Sequence, residues 1–323
     1  MHPSNILKSI FNSFILLLLV SCNSMKPGAA LSLDEIDLLK ENKVDPRKYG
    51  LTPYPSDHGP YYKAAHRSHP GQFAILDGKF PKNTMLPVVE FQTRQGHEII
   101  ALIDTHVRQS WISYDIAHKL KVKAAALDDN TIYPSHLEDE VLSFCGLTWK
   151  FELGDMHIEN CAVNVRTALN DLGPLKRGIN KPKINMILGN EMFDNLSVVQ
   201  FSWGNETIAL TADEEYKPRR TSFLAYATME RYKGAIAIEA KIGAYKGYCI
   251  LDVAGDYEIV VPDTWPKENT SLHINNYKLD NLGVKHADEA SLSHCPLPRI
   301  GNQVLSKTRL TLDYKRNVVF FEQ

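Results

Sequence analysis

The sequence predicts a mainly β protein built from two lobes related by internal duplication, and three observations carry that expectation. From about Leu86 onward the chain breaks into short β-branched and aromatic runs separated by turn residues, the pattern of an all-β body. The stretch "VVEFQTRQGHEIIALIDT", Val88 to Thr105, lies without a gap on "IAIEAKIGAYKGYCILDV", Ile236 to Val253. Each reads as strand, Gly-containing turn, strand and acid, so Asp104 falls on Asp252. Farther along, "ILGNEMFDNLSVVQFSWGNETIAL" from Ile187 matches "RIGNQVLSKTRLTLDYKRNVVFFE" from Arg299 with one gap, setting Gly189 and Asn190 on Gly301 and Asn302. Between these motifs the second copy is 36 residues shorter, because the offset falls from 148 at the acids to 112 at the glycines.

Taken in order, the chain divides into five segments. Residues 1–21 read as a signal peptide: Lys8 precedes the apolar run Phe14 to Val20, which is too short to span a bilayer. Leu19, Val20, Ser21 and Cys22 resemble a bacterial lipobox, which implies acylation of Cys22, a bilayer as partner and a location in the cell envelope. Residues 22–85 form a tether, a short helix and an irregular extension. Ser32 and Glu35 offer a capping box ahead of Ile36, Leu38 and Leu39, whereas His66 and His69 belong to a loop rather than a metal site. Residues 86–215 make the first lobe, 216–233 the linker and 234–323 the shortened second lobe.

The formal net charge of −2 over 323 residues, with no basic stripe interleaved with aromatics, gives no reason to expect a nucleic-acid partner. No nucleophile elbow, phosphate loop, HExxH or EF-hand spacing occurs, so no cofactor and no metal is expected. Apart from Cys22 there are Cys145, Cys161, Cys249 and Cys295, an even number in an exported chain. One disulfide per lobe is expected, Cys145 with Cys161 and Cys249 with Cys295; buried free thiols are the alternative.

An isolated carboxylate is costly to bury, so Asp104 at the end of Ala101, Leu102 and Ile103 needs a reason. It could cap a turn, hold a metal, or be half of a carboxylate pair. The same acid in both copies suggests a site on the pseudo-twofold axis, where two close carboxyls share a proton. One then activates water while the other polarises a carbonyl. Here "ALIDT" followed by "WISYDIAHKL", together with "MILGNEMFDNLSVVQFSWGNETIAL", resembles the aspartic proteases, and more narrowly their retropepsin-like group. The resemblance implies two β-barrel lobes in an acid-protease-like fold, Ser113 capping the following helix, an interlobe cleft for extended peptide, and Asp104 with Asp252 as the catalytic dyad.

The motif itself departs from that family. Asp-Thr-Gly is replaced by Asp104, Thr105, His106 in one copy and by Asp252, Val253, Ala254 in the other. A side chain at the third place crowds the space that glycine leaves for the backbone, and Val253 cannot donate the hydrogen bond a Thr would make. The departures predict a weakly active or inactive pseudoprotease that binds peptide or a protein partner. An active endopeptidase using both acids is the alternative, and a structural envelope lipoprotein with two capped turns is a third reading. His106 is assigned no proton-transfer role.

Overall fold

The computed structural model describes residues 31–323 except 55–60, 64–66, 69, 79–84, 94–95, 129–135, 138–139, 142, 167–183, 195, 267 and 291–295. The expectations for Cys22 and its leader, His66, His69 and Cys295 lie outside the described residues. Among these, no helix is long and apolar enough to cross a membrane. Helix α1 (Leu33–Glu41) begins as expected: Ser32 N–H donates to the Glu35 carboxylate at 2.8 Å, and Glu35 N–H donates back to Ser32 Oγ at 3.3 Å. Ser113 stands at the N-cap of α2 (Tyr114–Lys119), but its side chain makes no cap bond there, contrary to expectation.

The main strands, in chain order, are β1 (Phe73–Asp77), β2 (Val88–Gln92), β3 (Glu98–Ile103), β4 (Trp111–Ser113), β5 (Ser143–Leu153), β6 (Met156–Arg166), β7 (Met186–Leu188), β8 (Val198–Ser202) and β9 (Thr207–Thr211). They continue with β10 (Phe223–Tyr232), β11 (Ala235–Ile242), β12 (Tyr245–Asp252), β13 (Ile259–Val261), β14 (Thr270–Ile274), β15 (Tyr277–Leu282), β16 (Val284–His286), β17 (Arg299–Gly301), β18 (Arg309–Asp313) and β19 (Val318–Glu322). Short helices α3 (Asn190–Phe193) and α4 (Asn302–Leu305) follow β7 and β17. The protein is mainly β.

One sheet runs β2-β3-β7-β4-β6-β5 and ends on the short strand Lys123–Ala124; the other runs β16-β13-β17-β12-β11-β10-β19-β18-β8-β9-β1. Both are open, and the expectation of closed barrels is corrected. The β8–β9 hairpin pairs with β18 from the far end of the chain instead of curling back on its own sheet, so edges are covered across the halves. In each half a short strand lies between two partners of opposite sense. β7 runs parallel to β3, with Leu188 opposite Ile103, and antiparallel to β4. β17 runs parallel to β12, with Ile300 opposite Leu251, and antiparallel to β13.

Burial follows the period of the strands. In β10, buried Ala225, Ala227 and Met229 alternate with exposed Tyr226, Thr228 and Glu230. In β3 the alternation gives way to three buried residues, Ala101, Leu102 and Ile103, where the strand passes between β2 and β7. Ile103, Leu188, Phe201, Leu251, Ile300 and Leu312 share one core that continues through both halves.

The expected disulfides are corrected as well: Cys145, Cys161 and Cys249 are free and buried. The β5–β6 hairpin explains the first pair. Cys161 sits opposite Thr148, three residues beyond Cys145, so alternation turns the two sulfurs to opposite faces. Cys145 packs with Leu51 and Leu147, whereas Cys161 lies in the main core with its sulfur 3.8 Å from Met192 Sδ. Burial pushes both the Cys145 and Cys249 thiols up to about 12 and raises that of Cys161, so all three are poor nucleophiles.

Candidate acid-pair site

Asp104 follows β3, and its N–H donates to Leu188 O at 3.0 Å, adding one more rung beside β7 before the chain turns. Within that turn, His106 N–H donates to Asp104 Oδ1 at 2.8 Å. Asp104 is partly buried, with its carboxyl densely surrounded by protein. Asp252 ends β12 and is buried. Its Oδ2 accepts from the Tyr257 hydroxyl and lies 3.6 Å from Nη1 of the buried Arg299.

The two turns are tied together by Thr105, which is 1% exposed. Its hydroxyl donates to Leu251 O at 2.6 Å and accepts from Val253 N–H at 3.2 Å, so one side chain from the first turn engages the backbone on both sides of Asp252. Asn190, at the start of α3, reinforces the join, with Nδ2 2.5 Å from Thr105 O and 2.9 Å from Gly234 O. Ala254 packs against Leu86, Val88 and Leu102 of the first half. Burial pushes the Asp104 carboxyl up to about 6, with the charge of Asp252 adding to the effect. His106 and the N–H groups of His106 and Val107 pull the other way.

Glycine is required behind each acid by close approach rather than by backbone sign. A Cβ on Gly189 would lie 2.4 Å from Gln109 O, and one on Gly301 would lie 2.1 Å from Tyr257 O. Each post-acid loop is hydrogen-bonded to the helix start beyond its glycine. Asn190 N–H donates to Val107 O at 3.0 Å, and Asn302 N–H donates to Gly255 O at 2.9 Å.

Asp104, Thr105, His106, Asp252, Val253 and Ala254 therefore converge, although Val253 contributes its backbone and His106 supplies its N–H to the acid. Cys145 and Cys161 belong to the core instead. Sequence reasoning missed Tyr257 and Arg299. Arg299 had a signal: it aligns with Ile187, putting a cation where the other stretch has an apolar residue. Elsewhere, Asp263, His286 and Asp288 place ligand atoms within 4.8 Å of one another and could hold a metal ion. A separate polar groove, lined by Tyr226, Tyr248, Lys241 and His273 among others, lies on the face of β10, β11, β12 and β14 and does not include the acids.

No family model matches the chain, and no curated protein matches it. Among solved structures it is similar to conglutin gamma, a basic 7S globulin from lupine seeds, at 10% identity with a TM-score of 0.46, covering 78% of this chain and 95% of that one. It is also similar to the basic 7S globulin from soybean, at 10% identity with a TM-score of 0.48, covering 78% of this chain and 94% of that one. The family expectation is corrected: these similar structures are seed globulins rather than retropepsin-like or pepsin-like aspartic proteases. Nor do the comparisons support the expected signal peptide and lipoprotein anchor. A likeness this distant carries no functional argument, and the reading of the site rests on its own geometry.

Proposed function

We propose that the two halves arose by internal duplication and that Asp104 and Asp252 form a facing acid pair at their junction, in a cleft that takes extended peptide and hydrolyses it weakly or not at all. The Thr105 hydroxyl carries the reading, because it fixes the turn after one acid to the backbone flanking the other. Matching registers support the duplication: Leu188 opposite Ile103 and Ile300 opposite Leu251 place Gly189 and Gly301 beside the equivalent acids.

Weak hydrolysis follows from what surrounds Asp252. Water activation by a carboxyl pair needs an oxygen free to hold the nucleophile while the other carboxyl donates to the substrate carbonyl. Asp252 Oδ2 is already engaged by Tyr257 and faces Arg299. The grip between the two turns is one-sided as well, since Thr105 has a hydroxyl and Val253, which aligns with it, has none. A second reading, acid hydrolysis of peptide bonds by the pair, is favoured by the His106 N–H, which still reaches Asp104 although the residue is not glycine. Protonated Asp104 would then polarise the carbonyl, with Asp252 as the base.

The test combines binding and cleavage at pH 3 to 6. Fluorescence anisotropy with a labelled pool of random octapeptides should give saturable binding, weakened at least tenfold by Asp104→Ala or Asp252→Ala, while mass spectrometry of a carboxymethylated unfolded protein finds at most trace cleavage. Strong cleavage lost in either Asp→Asn variant would establish the hydrolytic reading instead. Neither binding nor cleavage would remove both. The cell-envelope location expected from the N-terminal sequence belongs to the same proposal, and fractionation of the native cells tests it: recovery in the cytoplasmic fraction alone would overturn it.

A further inference from the structure

The geometry points to a divalent transition-metal site at the open edge of the larger sheet, formed by Asp263, His286 and Asp288 and separate from the acid pair. Strands β13 and β16 run parallel with Val261 opposite His286, so two residues onward Asp263 and Asp288 leave the sheet side by side. His286 ends β16 and Asp288 stands in the turn that follows it, and ligand atoms of the three residues gather within 4.8 Å of one another. The Asp263 carboxylate accepts from the Asp288 N–H at 3.4 Å and the Asp288 carboxylate from the Glu289 N–H at 2.7 Å, which leaves each acid further oxygen lone pairs for a cation.

The imidazole is held from outside the cluster. His286 Nε2 lies 2.9 Å from Trp265 O, and as the protonated nitrogen it donates to that carbonyl, leaving the Nδ1 lone pair for a ligand. A backbone carbonyl that fixes the tautomer of a metal-binding His is the usual outer-shell arrangement. Trp265 is itself anchored: its N–H donates to Pro262 O at 2.9 Å, closing the turn that carries Asp263, and its ring lies 4.7 Å from that of Tyr245. One imidazole and two carboxylates suit zinc or manganese better than magnesium or calcium, which prefer an all-oxygen shell. Both aspartates are exposed, so water can complete the coordination.

Isothermal titration of the full chain with zinc chloride after chelator treatment should show one site, and the melting temperature should rise by several degrees once free zinc reaches about 100 times Kd. Asp263→Asn, Asp288→Asn and His286→Ala should each weaken that site at least tenfold, magnesium should not reproduce the shift, and Asp104→Asn should leave it unchanged. The aspartate variants remove charge at the surface and keep the His286–Trp265 contact, so they separate ligation from folding. Absence of a saturable site, or zinc binding that survives all three substitutions, would overturn the assignment.

Discussion

Asp104 holds its proton more tightly in the folded protein than in the unfolded chain, because burial first and the charge of Asp252 second disfavour its ionised form. A carboxyl raised in this way subtracts stability as pH climbs from the ordinary aspartate value through about 6, and the loss is complete above that. Asp104→Asn removes the charge and keeps an acceptor for His106 N–H. The variant should therefore be more stable than the parent at pH 7.5, by about 1 to 3 kcal/mol, and indistinguishable from it near pH 3. Urea unfolding at the two pH values checks this; an equal effect at both would show that the change acts through packing. The acids stood out in the sequence because both end apolar runs in stretches that align without a gap. Tyr257 and Arg299 did not, since a side chain reaching an acid from a neighbouring turn or strand leaves no periodic trace. Val253 offers the junction only its backbone N–H, whereas the Thr105 hydroxyl donates and accepts at once.

Among the elements, the short strand, glycine and helix behind each acid determine how near the post-acid loop can come. Gly301→Ala would drive a Cβ into Tyr257 O at 2.1 Å and toward Tyr257 Cδ2 at 2.5 Å, displacing the residue whose hydroxyl engages Asp252. Overpacking of this kind costs about 1 to 3 kcal/mol, so the midpoint of urea unfolding should fall accordingly. Gly189→Ala should cost a similar amount through Gln109, and wild-type stability in both variants would refute the close-approach argument. At this scale the sequence was informative about strands and poor about pairing. The Gly154–Asp155 turn sets the β5–β6 register and hence the opposite faces of Cys145 and Cys161, but counting cysteines per lobe ignores that phase. The barrels failed for a related reason: local alternation says which side of a strand is apolar, not which distant strand will cover its edge.

For the molecule as a whole, the sheet shared between halves makes them one cooperative unit. Gln200 pairs with Thr311 across β8 and β18, and their side chains are joined at 2.9 Å. The full chain should unfold in urea in a single transition, coincident by tryptophan fluorescence and far-ultraviolet circular dichroism; two resolved transitions would mean independent halves. Residues 31–215 expressed alone would expose the β8 edge that β18 covers, and they should aggregate or self-pair rather than stay monomeric. The same ladder also affects the time course of folding. Its partners are 111 residues apart, so their approach closes a long loop before any rung repays the entropy, whereas each neighbouring hairpin forms from segments already near each other. Refolding should accordingly build the hairpins early and join the halves late, leaving a transient species whose exposed β8 edge makes the yield fall as protein concentration rises.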